Sequence, residues 1–223
     1  MDLAARLAAF HRADLYVVIT GAFCAGRSAL EVLDKTLAAG VRLIQLREKD
    51  LDGRGLYDLA KEFRRRTAAA GALLIIDDRL DIALAAEADG VHLGQEDLPI
   101  AAARRSAPEL IIGASTHSLE EALAAQEAGA SYVNIGPIFT TPTKPQAVPL
   151  GVEAIETIAP RLRIPWTTMG GINQSNIAQV VARGARHPAV MSAVTAAPDV
   201  TAAARELREI IIEGGGSGEG LKG

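Results

Sequence analysis

The sequence predicts an α/β fold, a single (β/α)8 TIM barrel, and three observations lead there. Eight short β-rich runs begin at residues 15, 41, 73, 90, 110, 132, 165 and 189, with alanine-rich amphipathic stretches between them. That is the alternation of successive βα units. Several runs, among them Val17-Val18-Ile19, Leu73-Leu74-Ile75-Ile76 and Leu110-Ile111-Ile112, are apolar at every position rather than at alternate ones, as a parallel strand buried on both faces requires. The 223 residues show no composition break before a glycine-rich end, and a barrel of this kind uses about 200–250 residues as one domain. The first run lacks the GxGxxG turn of a doubly wound dinucleotide-binding sheet.

In chain order, residues 1–12 scatter Asp2, Arg6 and Arg12 among alanines, which predicts a short capping helix rather than a secretory signal. Strands are predicted over 15–20, 41–47, 73–78, 90–95, 110–115, 132–137, 165–171 and 189–194. Helical patterns occupy 28–39, 55–70, 81–88, 119–128, 152–159 and 174–183, and a last one, 200–212, follows the eighth strand. The barrel domain is assigned to 1–213. Residues 214–223 open with Gly214-Gly215-Gly216-Ser217-Gly218, a linker composition that predicts a flexible tail.

Composition excludes several classes. With 23 Lys and Arg against 27 Asp and Glu, the formal net charge is −4, and no basic stripe is present to neutralise a nucleic-acid backbone. The one basic run, Arg64-Arg65-Arg66 after Lys61, reads as the solvated face of a helix. Hydrophobic residues make up 49% of the chain, which is enough for a full core and too many for a disordered protein. No stretch reaches the ~18 consecutive apolar residues of a membrane span. A single cysteine, Cys24, leaves no internal disulfide or CxxC metal site and points to a reducing cytoplasm.

Barrel enzymes carry their reacting groups at the C-terminal ends of the strands. Here the second strand ends in Gln45-Leu46-Arg47-Glu48-Lys49, the third in Asp77-Asp78-Arg79, the fourth in Gly94-Gln95-Glu96-Asp97 and the fifth in Ser115. The sixth feeds a loop with Thr140-Thr141-Pro142-Thr143-Lys144, the seventh ends in Gly170-Gly171 and the eighth near Met191-Ser192. Arg47, Lys49 and Lys144 bring positive charge, while Asp78 and Asp97 bring carboxylates from neighbouring strands. Such oxygen ligands suit Mg²⁺, which takes one or two carboxylates together with substrate phosphates and water, and the cations beside them suit a diphosphate. Spacing alone equally allows Asp78 and Asp97 to be helix N-caps.

A second anion is suggested where Gly170-Gly171 and Met191-Ser192 meet, because loops after the last two strands of such barrels often hold phosphate on backbone N–H groups. A plain tight turn would use the same glycines. His92 lies mid-strand and reads as a core residue, as does Trp166. His117 shows no partner acid, so a triad with Ser115 is not indicated. Cys24 has no histidine beside it and reads as inert.

Taken together and in order, Gln45-Leu46-Arg47-Glu48-Lys49, Asp78-Arg79, His92-Leu93-Gly94-Gln95-Glu96-Asp97, Gly113-Ala114-Ser115, Gly136-Pro137-Ile138-Phe139, Thr141-Pro142-Thr143-Lys144, Gly170-Gly171-Ile172 and Met191-Ser192-Ala193 closely resemble the thiamine phosphate synthase family, over residues 15–212. The resemblance implies a transferase of thiamine biosynthesis. It would join 4-amino-2-methyl-5-hydroxymethylpyrimidine diphosphate to hydroxyethylthiazole phosphate, or its carboxylated form, giving thiamine phosphate and diphosphate with Mg²⁺ as cofactor. It implies a dissociative reaction in which diphosphate leaves before the thiazole nitrogen captures a pyrimidine methyl cation.

By the same resemblance Lys144, Arg47, Lys49 and Ser115 are the catalytic residues. Gln45, Leu46, Arg47, Glu48, Lys49, Asp77, Ser115 and Lys144 contact the pyrimidine diphosphate. Thr141, Pro142 and Thr143 line the thiazole phosphate site, Gly171, Met191 and Ser192 hold its phosphate, and Asp78 and Asp97 bind the metal. The expected partners are these two substrates, with no nucleic acid and no membrane; a homo-oligomer is left open. One position departs from the family, which usually shows Asn-Asp-Arg where this chain has Asp77-Asp78-Arg79. An ionised carboxylate cannot donate the hydrogen bonds of an amide, and Asp77 adds negative charge where a diphosphate is to sit. The alternatives within the fold are a thiazole tautomerase paralogue and a non-catalytic thiazole-phosphate-binding barrel. Asp78, Lys49 and Pro137, which the tautomerase pattern replaces with His, favour the synthase.

Overall fold

The computed structural model describes residues 1–141 and 146–216. Eight parallel strands form one sheet: β1 Tyr16–Ile19, β2 Leu43–Leu46, β3 Leu73–Asp77, β4 Gly90–Leu93, β5 Ile111–Thr116, β6 Tyr132–Ile135, β7 Trp166–Thr168 and β8 Ala189–Val190. Neighbours in sequence are neighbours in the sheet, and β8 pairs back onto β1. A bridge from Thr168 to Pro188 closes the ring between β7 and β8. The helices are α1 Leu3–Arg12, α2 Ala29–Ala38, α3 Gly53–Ala69, α4 Leu80–Ala85, α5 Ile100–Ser106, α6 Leu119–Glu127, α7 Glu153–Ile158, α8 Ile177–Val181, α9 Ser192–Thr195 and α10 Val200–Gly216.

Side chains alternate along each strand between the barrel interior and the surrounding helices. Val17, Ile19, Ile44, Leu46, Leu74, Ile76, Ile112 and Val133 face outward and form one cluster with the buried faces of the helices. Tyr16, Leu43, Leu73, Ile75, Ile111, Tyr132 and Ala189 face inward and form a second cluster. Both faces are covered, so each strand is apolar at almost every position. Phe10 of α1, fully buried, joins the inner cluster and plugs the N-terminal end of the ring; truncating such a side chain to alanine costs about 3–5 kcal/mol.

Helix starts follow local chemistry. Asp2, Ser28, Asp52 and Ser118 each accept a hydrogen bond from the backbone N–H three residues on, opening α1, α2, α3 and α6; such a cap stabilises by about 1 kcal/mol. Arg6 Nη1 donates to the Glu109 carbonyl at 2.6 Å and pins α1 beneath β5.

All eight strands appear where the sequence places them, though two are shorter than expected, and α5 is a helix the sequence pattern did not announce. The seventh and eighth strands are shorter than 165–171 and 189–194: Gly170 and Gly171 take φ of 103° and 65° and turn the chain out of the sheet, and residues from Ser192 onward form α9 instead. Residues 174–176 stay outside α8 because Asn173 Oδ1 accepts from the Ser175 N–H and hydroxyl, a local turn that competes with helix. The expected tail begins too early, since α10 runs on through 214–216. Residues 217–223 lie outside the described residues.

Candidate active site

The inward alternation carries on past the strand ends and assembles the mouth. Gln45, Arg47 and Lys49 follow one another on the inward side of β2 and its extension, joined by Asp77 of β3, His92 of β4, Ser115 of β5, Asn134 of β6, Met169 and Met191. All of them line a cavity of about 580 Å³. A second cavity of about 290 Å³ adjoins it, lined by Thr140, Gly171, Asn173 and Ser192 among others, and shares Thr141, Met169, Gly170 and Met191 with the first. One mouth therefore holds two connected subsites.

The larger subsite is charged. Asp77 Oδ2 lies 3.4 Å from Arg47 Nε and 3.2 Å from Lys49 Nζ, and Lys49 also binds the Asp78 carboxylate. Partial burial works against the Lys49 ammonium, yet Asp78 and Asp77 hold its pKa above the ordinary lysine value. Burial, reinforced by the Asp78 carboxylate, pushes Asp77 up to about 6 against the pull of Lys49 and Arg47. A carboxyl that titrates there is poorly solvated and incompletely neutralised. The same reasoning holds for Asp97. Burial, and beyond it a hydrogen bond shared with the Asp78 carboxyl, raises its pKa, while the Gly94 N–H at 2.7 Å works the other way.

Neither aspartate caps a helix. The residue before α4 is Arg79 and the one before α5 is Pro99, neither with a side-chain cap. Asp78 instead adopts φ 59°, a conformation that costs a non-glycine residue roughly 1–2 kcal/mol, and this turns its carboxylate toward Lys49 and Asp97. A carboxyl made costlier to ionise beside the Asp78 carboxylate is a place where a cation fits. Among the described residues no group of three or more acidic, His or Cys side chains forms a closed metal cage.

Ser115 has a partner the sequence did not suggest. Its Oγ lies 2.9 Å from His92 Nε2, and His92 Nδ1 lies 2.9 Å from the Tyr132 hydroxyl. The third member is thus a phenol and not a carboxylate, so this is no hydrolytic triad. His117 does have an acid, Glu121 at 3.0 Å, but the pair is largely exposed and one helical turn apart. Cys24 is buried against the Thr20 carbonyl at 3.2 Å, and burial pushes its thiol up, which leaves it unreactive.

A family profile for thiamine monophosphate synthase matches residues 15–194. The chain is 49% identical over 200 residues to the thiamine-phosphate synthase of Moorella thermoacetica, covering 89% of this chain and 95% of that one. It is 46% identical over 198 residues to the thiamine-phosphate synthase of Chloroflexus aurantiacus, covering 88% and 92%. Among solved structures, the thiamine phosphate pyrophosphorylase of Pyrococcus furiosus superimposes with a TM-score of 0.86 at 41% identity, over 92% of this chain and 98% of that one. The chain belongs to the thiamine monophosphate synthase family.

Of the residues that the synthase resemblance names, the mouth gathers Gln45, Arg47, Lys49, Asp77, Asp78, Asp97, Ser115, Thr141 and Met191 around the larger cavity and Gly171 and Ser192 around the smaller. The side chains of Leu46 and Glu48 take the other direction. Being of opposite parity, Leu46 is buried beneath the helices, and Glu48 Oε1 accepts the Gly21 N–H at 2.6 Å, tying the loop after β1 to β2. Neither side chain lines the mouth. Pro142, Thr143 and Lys144 lie outside the described residues. Sequence reasoning missed Asn134, His92 and His117 as lining groups; the signal was available in Asn134, a polar residue inside an apolar strand. No helix among the described residues is long and apolar enough to cross a membrane.

Proposed function

We propose that this chain is a thiamine-phosphate synthase, a transferase that alkylates hydroxyethylthiazole phosphate with the pyrimidine methylene of 4-amino-2-methyl-5-hydroxymethylpyrimidine diphosphate. The observation that carries the reading is the joining, in one mouth, of a charged cavity built on Arg47, Lys49, Asp78 and Asp97 to one bounded by Gly171 and Ser192 whose lining is neutral among the described residues. The first suits a leaving diphosphate and the second an anchoring phosphate.

In the reaction the C–O bond between methylene and diphosphate breaks and its electron pair leaves with the diphosphate. The thiazole nitrogen lone pair then forms the C–N bond. No proton needs removal from that nitrogen, so the step asks for stabilisation of the departing charge rather than for a general base. Arg47 and Lys49 are placed to stabilise the negative charge that develops on the departing group, the electrostatic role that commonly outweighs others. Asp78 and Asp97 are the residues that would hold Mg²⁺, which when bound supplies further positive charge to the phosphate oxygens. The N–H groups around Gly171 and Ser192 would hold the thiazole phosphate and aim its ring at the larger cavity. Lys144 is assigned to the diphosphate on the family pattern alone. The lone, buried Cys24 supports a reducing, cytoplasmic setting.

The test is an endpoint assay with purified protein and both heterocycles, with Mg²⁺ or with EDTA. Metal-dependent formation of thiamine phosphate and diphosphate is expected. Binding of thiazole phosphate without any product would overturn the reading in favour of the tautomerase paralogue.

A further inference from the structure

Beneath the mouth, five polar side chains from five strands form a line across the barrel interior. Gln45 Nε2 donates to the Tyr16 hydroxyl at 2.7 Å; the Tyr16 and Tyr132 hydroxyls are 3.0 Å apart; Tyr132 lies 2.9 Å from His92 Nδ1, and His92 Nε2 lies 2.9 Å from Ser115 Oγ. Tyr16 and Tyr132 are fully buried, and Gln45 and His92 are 1% and 4% exposed. Burial of polar groups is tolerated only when they are hydrogen-bonded, so the row holds together as a unit. Only its two ends and His92 reach the cavity. The two tyrosines touch no part of it, and the reading of the site so far gives them nothing to do.

Proton counting gives the row a direction. An amide –NH2 only donates, so the Tyr16 oxygen accepts from Gln45, and the Tyr132 oxygen at 3.0 Å is the acceptor in reach of the buried Tyr16 proton. Tyr132 in turn donates to His92 Nδ1, which must then be unprotonated. The neutral imidazole carries its proton on Nε2 and gives it to Ser115 Oγ. With that lone pair occupied, the Ser115 hydroxyl proton is free to point into the mouth. We propose that Gln45, Tyr16, Tyr132 and His92 act as a one-way hydrogen-bonded chain that fixes Ser115 as a donor toward an acceptor atom of the pyrimidine diphosphate. Tyr16 and Tyr132 are positioning residues that act through His92. The choice of substrate here rests on the synthase reading, whereas the tautomer it requires does not.

The packing is built for this. The Tyr132 ring is sandwiched between Phe10 of the N-terminal plug at 4.9 Å and His92 at 5.6 Å, with interplanar angles of 29° and 26°. Gly113 on β5 leaves the space that the phenol fills, since a Cβ there would collide with the Tyr132 ring and hydroxyl. The stack runs from α1 to the mouth, so the helix that closes the far end of the barrel also holds the chain in register.

The decisive measurement is the tautomer of His92, read from the ¹⁵N shifts of its ring nitrogens in ligand-free protein at pH 7. A neutral ring protonated on Nε2 is expected. A ring protonated on Nδ1, or on both nitrogens, would overturn the proposal whatever the enzyme's activity. Tyr132→Phe removes the donor to Nδ1 while keeping the ring in the stack. It should convert the single tautomer to a mixture and raise KM for the pyrimidine diphosphate about three- to tenfold, with KM for thiazole phosphate unchanged. Tyr16→Phe, one link further away, should do the same to a smaller degree and serves if the first variant fails to fold. Folded variants that keep the wild-type tautomer and both KM values would sink the idea. If instead the tautomer is as expected but no thiamine phosphate forms, the chain stands and the synthase reading falls.

Discussion

On the β2–β5 side the mouth is lined by charged side chains, Arg47 and Lys49 interleaved with Asp77, Asp78 and Asp97. On the β7–β8 side the lining is neutral: Gly170, Gly171, Asn173 and Ser192, with no ionisable side chain among the residues described there. The difference matches what each phosphate does in the proposed reaction. A diphosphate that departs gains negative charge in the transition state, and only groups that respond to that gain accelerate the step. A phosphate that merely anchors its molecule keeps its charge throughout, so backbone dipoles and close approach are enough. The two sides should therefore separate in kinetics, one affecting kcat and the other KM.

The largest effect is expected from the charged side. Lys49 touches both Asp77 and Asp78 and is the described cation best placed to follow a leaving group. Lys49→Ala should lower kcat about 10²- to 10³-fold and leave KM for thiazole phosphate as it was. Steady-state kinetics with each substrate varied in turn checks this. A parallel rise in the thiazole KM would show that the two subsites are not separate in function.

The neutral side is broken by geometry rather than charge. Gly171 sits at φ 65°, and a Cβ there would run into the Thr140 carbonyl and the Phe139 side chain. Gly171→Ala forces the turn to shift and carries a left-handed penalty of roughly 1–2 kcal/mol besides. The expected result is a KM for thiazole phosphate raised about tenfold or more, with kcat at saturation within about threefold of wild type. A collapse of kcat at unchanged KM would reverse the assignment of the two sides.

How much of this was legible in the sequence depends on what each residue answers to. The eight strands were plain, because burial on both faces writes a continuous apolar run. The charged mouth was plain too, as Arg47, Lys49, Asp78 and Asp97 stand at strand ends. Within the strand-end run that the resemblance names whole, the two-residue period sends alternate side chains to opposite faces. Gln45, Arg47 and Lys49 share one parity, and Leu46 and Glu48 the other. The Gln45–Tyr16–Tyr132–His92–Ser115 row could not be read in advance. It depends on the stagger of five strands, which brings residues 116 positions apart, Tyr16 and Tyr132, to 3.0 Å.

Asp77 tests the charged side most gently, because it asks how well the cations neutralise it before any substrate arrives. Its pKa in the folded chain is about 6, against an ordinary 3.8. A carboxyl whose folded pKa is raised favours folding while protonated, so the folded state loses stability as pH rises from about 4 to about 6 and stays penalised above that. Asp77→Asn, which restores the residue usual in the family, removes the titration. Below pH 4 both forms are neutral at this position and the variant should gain little. At pH 7.5 it should be more stable than wild type by about 1–3 kcal/mol, with a lower KM for the pyrimidine diphosphate, as one negative charge has left its path. Chemical denaturation of both proteins at several pH values between 4 and 7.5 reads the difference directly. A stability gain that is constant across that range would mean that Arg47 and Lys49 already neutralise Asp77 in full, and that the charged side meets its diphosphate without a repulsive group to displace.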